Sequence, residues 1–380
     1  MIVVGTALAF DFTNGFHDTA TAMATSIATR ALPPRIAVAL SAVLNVAGAF
    51  LSLAVATTIA KGVVDPSAIT LNIIFAGLIG AITWNLVTWY YGLPSSSSHA
   101  LIGGVVGAAL VAKGQDAIKG AGIVEKVLIP AVLAPFLAGA VAVLGTYLAY
   151  RLTRRERPDH VRRGFRVGQI ASASLVSLAH GTNDAQKTMG VITLALIAHG
   201  SLNGNASVPT WVIISAALAI GGGTYVGGWR VIRTMGTRIT EIEPPQGFAA
   251  QTSAAAVILA SSHYGFPLST THVTSGSIIG SGVGKRLAEV HWGVAGRLAV
   301  AWLITLPAAG AIGGGTSWVA DAIGGTAGVV VMAVVGAILA AGLWAATRND
   351  RVTADNVLDP LPTVTDSDVS RHEVGALVPA

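Results

Sequence analysis

The chain has 380 residues, of which 53% are hydrophobic and only 11% charged, with a mean hydropathy of +0.68. An ordinary soluble domain is about a quarter charged, so this composition excludes a water-soluble globule and implies an all-α polytopic membrane protein. Cysteine is absent, which excludes a disulfide framework and any thiol ligand or nucleophile. The formal net charge of +5 matters less than where the charges fall.

A membrane-spanning helix needs about 20 mostly apolar residues. In chain order, candidate spans lie near 2–28, 35–60, 69–91, 99–112 and 122–150, then near 167–198, 208–230, 248–264, 272–284 and 290–314, with a further span near 324–346. The first of these has neither the charged start nor the cleavage site of a signal peptide, and is read as part of the mature fold. The 99–112 and 272–284 segments are short, so each is expected to pair with its predecessor as a re-entrant hairpin. Residues 151–166 (RLTRRERPDHVRRGFR) carry seven arginines and are expected to form a solvated cytoplasmic loop. Counting outward from that loop puts Arg30, Arg35, Arg230, Arg233, Arg238, Lys285, Arg286 and Arg348 inside. Lys61, Lys113, Lys119 and Lys126 fall outside, against the rule. The polar residues 347–380 read as a cytoplasmic tail without fixed structure.

The halves repeat. NGFHDTATAM (14–23) aligns with HGTNDAQKTM (180–189), and YGLPSSSSHALIGGVVG (91–107) with YGFPLSTTHVTSGSIIG (264–280). Asp18 thereby falls on Asp184, Pro94 on Pro267 and His99 on His272. An odd number of crossings per half inverts the second copy. The organisation is a first inverted repeat (1–150), the basic loop (151–166), a second repeat (167–314), an added span (315–346) and the tail. Inverted repeats with interrupted helices characterise secondary transporters, whose sites lie near the bilayer midplane.

Asp11, Asn14, His17 and Asp18 lie within the first span and are expected to interrupt it. His180, Asn183, Asp184, Gln186 and Lys187 do the same in the sixth. Charges cost about 2.5–3.5 kcal/mol or more at the bilayer centre, so they mark a pathway or pair to lock helices together. Carboxylate and amide oxygens beside unwound backbone suit a hard cation such as Na+, and a carboxylate can carry H+ instead. Ser95, Ser96, Ser97 and Ser98, and Ser269, Thr270 and Thr271, each precede a helix start near His99 or His272. They read either as plain N-caps or, as a matched pair, as a cage of neutral donors for a tetrahedral oxyanion. His99 and His272 could donate to that anion, shuttle protons or be structural. Asn45 and Asn85 read as interhelical hydrogen-bond partners.

The segments DFTNGFHDTATAM, GLPSSSSH, AHGTNDAQKTMG and GFPLSTTH together resemble the inorganic phosphate transporter family of bacterial low-affinity carriers. The resemblance covers about residues 1–346. It implies a multi-pass protein of a bacterial inner membrane, re-entrant hairpins, a homodimer, and symport of inorganic phosphate with H+ or Na+ by alternating access. It implies no further cofactor and no nucleic-acid partner. By that similarity Ser96, Ser97, Ser98, His99, Ser269, Thr270, Thr271 and His272 would meet the substrate. Asn14, His17, Asp18, Asn183, Asp184 and Lys187 would hold or relay the coupling ion. The family's first motif often has Asn at the positions of His17 and Thr21, although bacterial members frequently have this His, and sodium-coupled relatives tend to carry Asn at the position of Lys187. Lys187, the repeat mate of Thr21, is a fixed cation beside Asp184 and favours coupling to H+. Relatives carry neutral metal–phosphate complexes as well as phosphate. Sulfate as the substrate is the nearest alternative. An intramembrane hydrolase built on Ser97 or Thr270 is a reading of another class, disfavoured by the absence of a G-x-S-x-G elbow, and no P-loop supports an ATP-driven pump.

Overall fold

The computed structural model describes residues 1–62, 68–204, 206–285 and 290–359. Among them the regular structure is helical, apart from one isolated bridge between Thr240 and Val290. The first repeat comprises α1 (Ile2–Ala28), α2 (Pro34–Gly48), α3 (Ala54–Gly62), α4 (Leu71–Tyr90), α5 (Ser97–Lys113), and α6 (Gly120–Ile123), which runs through a π-helical turn into α7 (Ile129–Leu152). The second comprises α8 (Pro158–Ala198), α9 (Thr210–Val226), α10 (Trp229–Arg233), α11 (Pro244–His263), α12 (Thr270–Lys285) and α13 (Trp292–Ile323), and α14 (Gly325–Ala346) is added at the end.

Local chemistry sets the helix starts. Proline occupies the first turn of α2, α8 and α11, where its missing N–H costs nothing. Glu243 and Gln246 close a capping box on α11. Each hairpin turns at a glycine in the left-handed region, Gly92 (φ 62°) and Gly265 (φ 74°), equivalent positions of the two repeats. Each turn packs on the other repeat. A Cβ at Gly92 would press on the Arg230 carbonyl and Thr234, and one at Gly265 on the Ala54 carbonyl and Thr58. The repeats are therefore interlocked, and the same exchange joins α1 to α9 and α8 to α2. Gly15 and Gly181 make those crossings possible, since a Cβ would strike the carbonyl of Ile220 or of Asn45.

Several expectations are corrected. The polar residues of the first and sixth spans do not interrupt them: α1 runs unbroken for 27 residues and α8 for 41. A polar side chain within a helix leaves the backbone ladder intact, so unwinding is unnecessary where neighbouring elements satisfy it. The breaks fall one span later, at 49–53 between α2 and α3 and at 227–228 between α9 and α10, where the chain bends by 62°. The basic segment is mostly helical, because α8 begins at Pro158. The boundary set at 314 lies inside α13, which continues to Ile323 and leaves only Gly324 before α14. The first part of the tail is anchored: Asp355 accepts from Arg35 at 2.9 Å, Arg233 donates to the Asn356 carbonyl at 2.5 Å, and Val357 is buried. Arg286 and the tail beyond Asp359 lie outside the described residues.

Layering follows polarity. The outer helices α7, α13 and α14 carry exposed Leu, Val, Ile and Phe, as a lipid-facing shell requires. At the centre α1 and α8 bury their polar residues instead. Among the described residues, four helices are apolar and long enough to count as spans by composition alone, Leu71–Tyr90, Gly120–Leu152, Trp292–Ile323 and Gly325–Ala346, and neither α1 nor α8 is one of them.

Candidate functional site

The two hairpins deliver the N-termini of α5 and α12 to the middle of α1 and α8. The four orphan N–H groups of a helix start need acceptors, and one hydroxyl of each cluster supplies one. Ser96 Oγ accepts from the His99 N–H at 3.1 Å, and Ser269 Oγ from the His272 N–H at 3.2 Å. These two residues are N-caps. Of the following hydroxyls, Ser97, Thr270 and Thr271 reach the carboxylates, and Ser98 meets Lys187 and the Leu268 carbonyl.

Around Asp18, Ser97 Oγ lies 2.7 Å from Oδ2, Thr271 Oγ1 donates to Oδ1 at 3.2 Å, and His17 Nδ1 lies 2.6 Å from Oδ1. Ser97 Oγ is also 2.6 Å from Asn14 Oδ1. The far nitrogen of His17 reaches Thr88 Oγ1 at 3.2 Å and Ser95 Oγ at 3.4 Å, which ties the aspartate to both arms of the first hairpin. Thr21 bonds its own helix, donating to the Asp18 carbonyl at 2.7 Å.

Around Asp184 the partners carry fixed charge. Lys187 Nζ donates to Asp184 Oδ1 and to Ser98 Oγ, each at 2.5 Å, and to the Leu268 carbonyl at 2.9 Å. Those three acceptors use all three ammonium protons, so the buried cation is both paired and fully hydrogen-bonded, as a low-dielectric site demands. His180 Nε2 lies 3.2 Å from Asp184 Oδ2, and Thr270 Oγ1 donates to the same oxygen at 3.3 Å. Asn14 Nδ2 reaches that oxygen at 3.5 Å and bridges the two halves. Asp18, Asp184, Lys187 and Asn14 are at most 2% exposed, so ion and substrate reach them only if the packing around the hairpins opens.

The structure thus brings together Asn14, His17, Asp18, Ser97, Ser98, Asp184, Lys187, Thr270 and Thr271. It leaves five expected site residues outside: Ser96 and Ser269 are caps, and Asn183, His99 and His272 turn elsewhere. Asn183 donates to Ser262 Oγ at 2.9 Å and to the Phe266 carbonyl, pinning the second hairpin as His17 pins the first. His99 and His272 face each other, 4.8 Å apart between ring centroids. His272 stacks on Trp302 at 4.3 Å, and both rings line a largely apolar cavity of about 660 Å³ between α7 and α13. Two residues outside the expected set enter. His180 is the repeat mate of Asn14, a pairing the alignment already contains. It also joins Asp18 and Asp184 in a buried group whose ligand atoms lie within 4.8 Å of one another, close enough to hold a metal ion. Asp11, three residues before Asn14, is fully buried with neither carboxylate oxygen hydrogen-bonded.

The family model described as "Phosphate transporter family" matches the chain twice, over residues 14–162 and 151–313, one match for each repeat. A Mycobacterium bovis protein named "Probable low-affinity inorganic phosphate transporter" is 59% identical over 358 residues, covering 94% of this chain and 86% of its own. Proteins of the same name from Rhizobium meliloti and Bacillus subtilis are 46% and 44% identical, covering 84% and 82% of this chain and 96% and 94% of their own. A solved structure titled "The sodium-dependent phosphate transporter" superposes with a TM-score of 0.76 at 24% identity, over 85% of this chain and 98% of that one. That last likeness supports the helical fold with its inverted repeats.

Proposed function

Because this chain belongs to the phosphate transporter family, we propose that it carries inorganic phosphate across a bacterial inner membrane, coupled to H+, by alternating access. The observation that carries the reading is that the hydroxyls at the two helix starts donate to Asp18 and Asp184. Ser97, Thr270 and Thr271 reach a carboxylate, and Ser98, held by Lys187, donates to the Leu268 carbonyl at 3.1 Å. Neutralising a carboxylate weakens its hold on those donors and frees them for a phosphate oxyanion. Cation and phosphate therefore favour each other's binding, which is the thermodynamic content of symport.

Proton counting supports H+ at Asp18. The single Ser97 proton cannot serve both Asn14 Oδ1 at 2.6 Å and Asp18 Oδ2 at 2.7 Å. A proton on Asp18 removes the charge that holds the Ser97 hydroxyl, which can then turn to Asn14 Oδ1 or to a phosphate oxygen. Asp184 needs no mobile cation, since Lys187 already occupies that place. The Asp18–His17–Thr88 sequence of contacts is reminiscent of a hydrolase triad, but Thr88 Oγ1 donates to its own helix at the Trp84 carbonyl (2.9 Å) and also contacts Ser95. These bonds make it a hairpin tie rather than a nucleophile. Phosphate travelling with a divalent metal ion is the second reading: Asp18, His180 and Asp184 lie close enough to hold such an ion, which would have to displace Lys187 from Asp184. A homodimer belongs to the same reading.

The test is uptake of labelled phosphate into proteoliposomes under imposed proton or sodium gradients, with sulfate as competitor and with or without Mg2+. Uptake driven by an inward proton gradient and resistant to sulfate is expected. Dependence on sodium would overturn the coupling ion, and transport of sulfate alone would overturn the substrate.

A further inference from the structure

A cavity of about 1,210 Å³, lined by charged side chains, opens at the arginine-bearing face where α7, α8, α11 and α12 meet. Its walls carry Arg151, Arg154, Arg155, Arg162 and Lys285 against two carboxylates, Glu156 and Glu243. Glu243 is already engaged: it accepts from Tyr150 and pairs with Lys285 at 3.1 Å. Burial opposes its ionisation, but the Tyr150 hydrogen bond and Lys285 outweigh burial and hold the carboxyl below its ordinary value. This buttress fixes the floor of the cavity. Arg162 adds to the positive field that keeps Glu243 ionised, but neither it nor Arg154 or Arg155 makes a salt bridge among the described residues. A topogenic loop needs only positive charge near the membrane, and Arg157 and Arg163 of the same segment do not line the cavity. Three guanidinium groups around one concavity, none tied down by a salt bridge, provide forked donors matched to phosphate oxygens.

We propose that this cavity binds a phosphate-ester anion, either the headgroup of an acidic membrane phospholipid or a soluble phosphate compound. The surroundings favour the lipid. Tyr147 is half exposed at the rim, and Leu144, Leu148 and Leu152 form an exposed apolar run along α7 that leads away from the arginines. An acyl chain can follow that run while its headgroup sits among the guanidinium groups. The site is separate from the central one, yet α12 joins them: its first residues touch Asp184 and Asp18, and its last, Lys285, lines the cavity. At 1.5 Å per residue the helix spans about 24 Å, so a ligand held at one end bears on a rigid element that ends in the other.

The experiment uses the purified full-length protein in phosphatidylcholine nanodiscs, titrated with dioctanoyl phosphatidylglycerol and, separately, with tripolyphosphate. Saturable binding of either probe is expected, weakened about tenfold or more in Arg154→Gln/Arg155→Gln/Arg162→Gln and retained in Arg157→Gln/Arg163→Gln. Binding of phosphatidylglycerol alone assigns the site to lipid. Binding of tripolyphosphate that competes with phosphatidylglycerol assigns it to a soluble phosphate compound. Absence of saturable binding by both probes, or equal weakening in the two variants, overturns the site.

Discussion

Asp18 and Asp184 occupy equivalent positions of the two repeats, yet they are held differently. Asp18 is met by a histidine and two hydroxyls, groups that can gain, lose or redirect a proton. Asp184 is clamped by an ammonium group 2.5 Å away, whose repeat mate, Thr21, only bonds its own backbone. The repeats supply two equivalent cradles, and side-chain divergence made one a fixed ion pair and left the other without a fixed lysine. Asn14 and His180 show the same exchange. Each sits four residues before an aspartate, Asn14 spanning to the opposite half and His180 contacting its own Asp184.

The largest test of this asymmetry is the pair Asp18→Asn and Asp184→Asn. Both are expected to reduce concentrative phosphate uptake to background, but only Asp184→Asn strands a buried cation. Breaking a buried ion pair costs about 3–5 kcal/mol, so its melting temperature in detergent should fall well below that of Asp18→Asn. Equal melting temperatures would remove the distinction between the two halves. Next in size is Lys187→Asn, which vacates the place of the tethered cation. Uptake is expected to persist more slowly and to acquire sodium stimulation of about tenfold, equivalent to about 1.4 kcal/mol, in flux assays with a sodium gradient. Continued indifference to sodium would count against Lys187 as a built-in ion.

Much of this was legible in the residues. The aligned motifs carried the two-repeat plan, and the pairing of Asp18 with Asp184 singled out the two carboxylates that the hairpins meet. The polar residues of α1 and α8 were legible as a buried group but not as continuous helix. What satisfies them comes from hairpins about 80 residues or more away in sequence, and no local pattern records that. The break at 49–53 has little signal, since Phe50, Leu51 and Leu53 read as ordinary span residues. The role of each hydroxyl depends on where its helix begins. Successive helical residues turn by about 100°, so moving the start by one residue exchanges cap for ligand. With Ser96 and Ser269 as caps, the rotation carries Ser97 and Thr270 toward the aspartates and His99 and His272 away from them.

That register gives the finest test, because it predicts different outcomes for neighbouring hydroxyls in both repeats. Ser97→Ala with Thr270→Ala removes donors that now reach Asp18 and Asp184 and would pass to phosphate. Hydrogen bonds to charged groups are worth about 1.5–3 kcal/mol each, so apparent phosphate affinity should weaken by about tenfold or more while the protein stays folded. Ser96→Ala and Ser269→Ala remove only the acceptor for one backbone N–H. Each should cost about 1 kcal/mol of stability, read as a small fall in melting temperature, with the apparent affinity for phosphate unchanged. If the caps shift affinity as strongly as Ser97 and Thr270 do, the helix starts are set one residue earlier in the phosphate-bound state. The N-terminal amides of α5 and α12 would then be part of the anion site. If neither pair shifts affinity, the hydroxyls serve only to hold the hairpins against the aspartates, and phosphate must find its donors elsewhere.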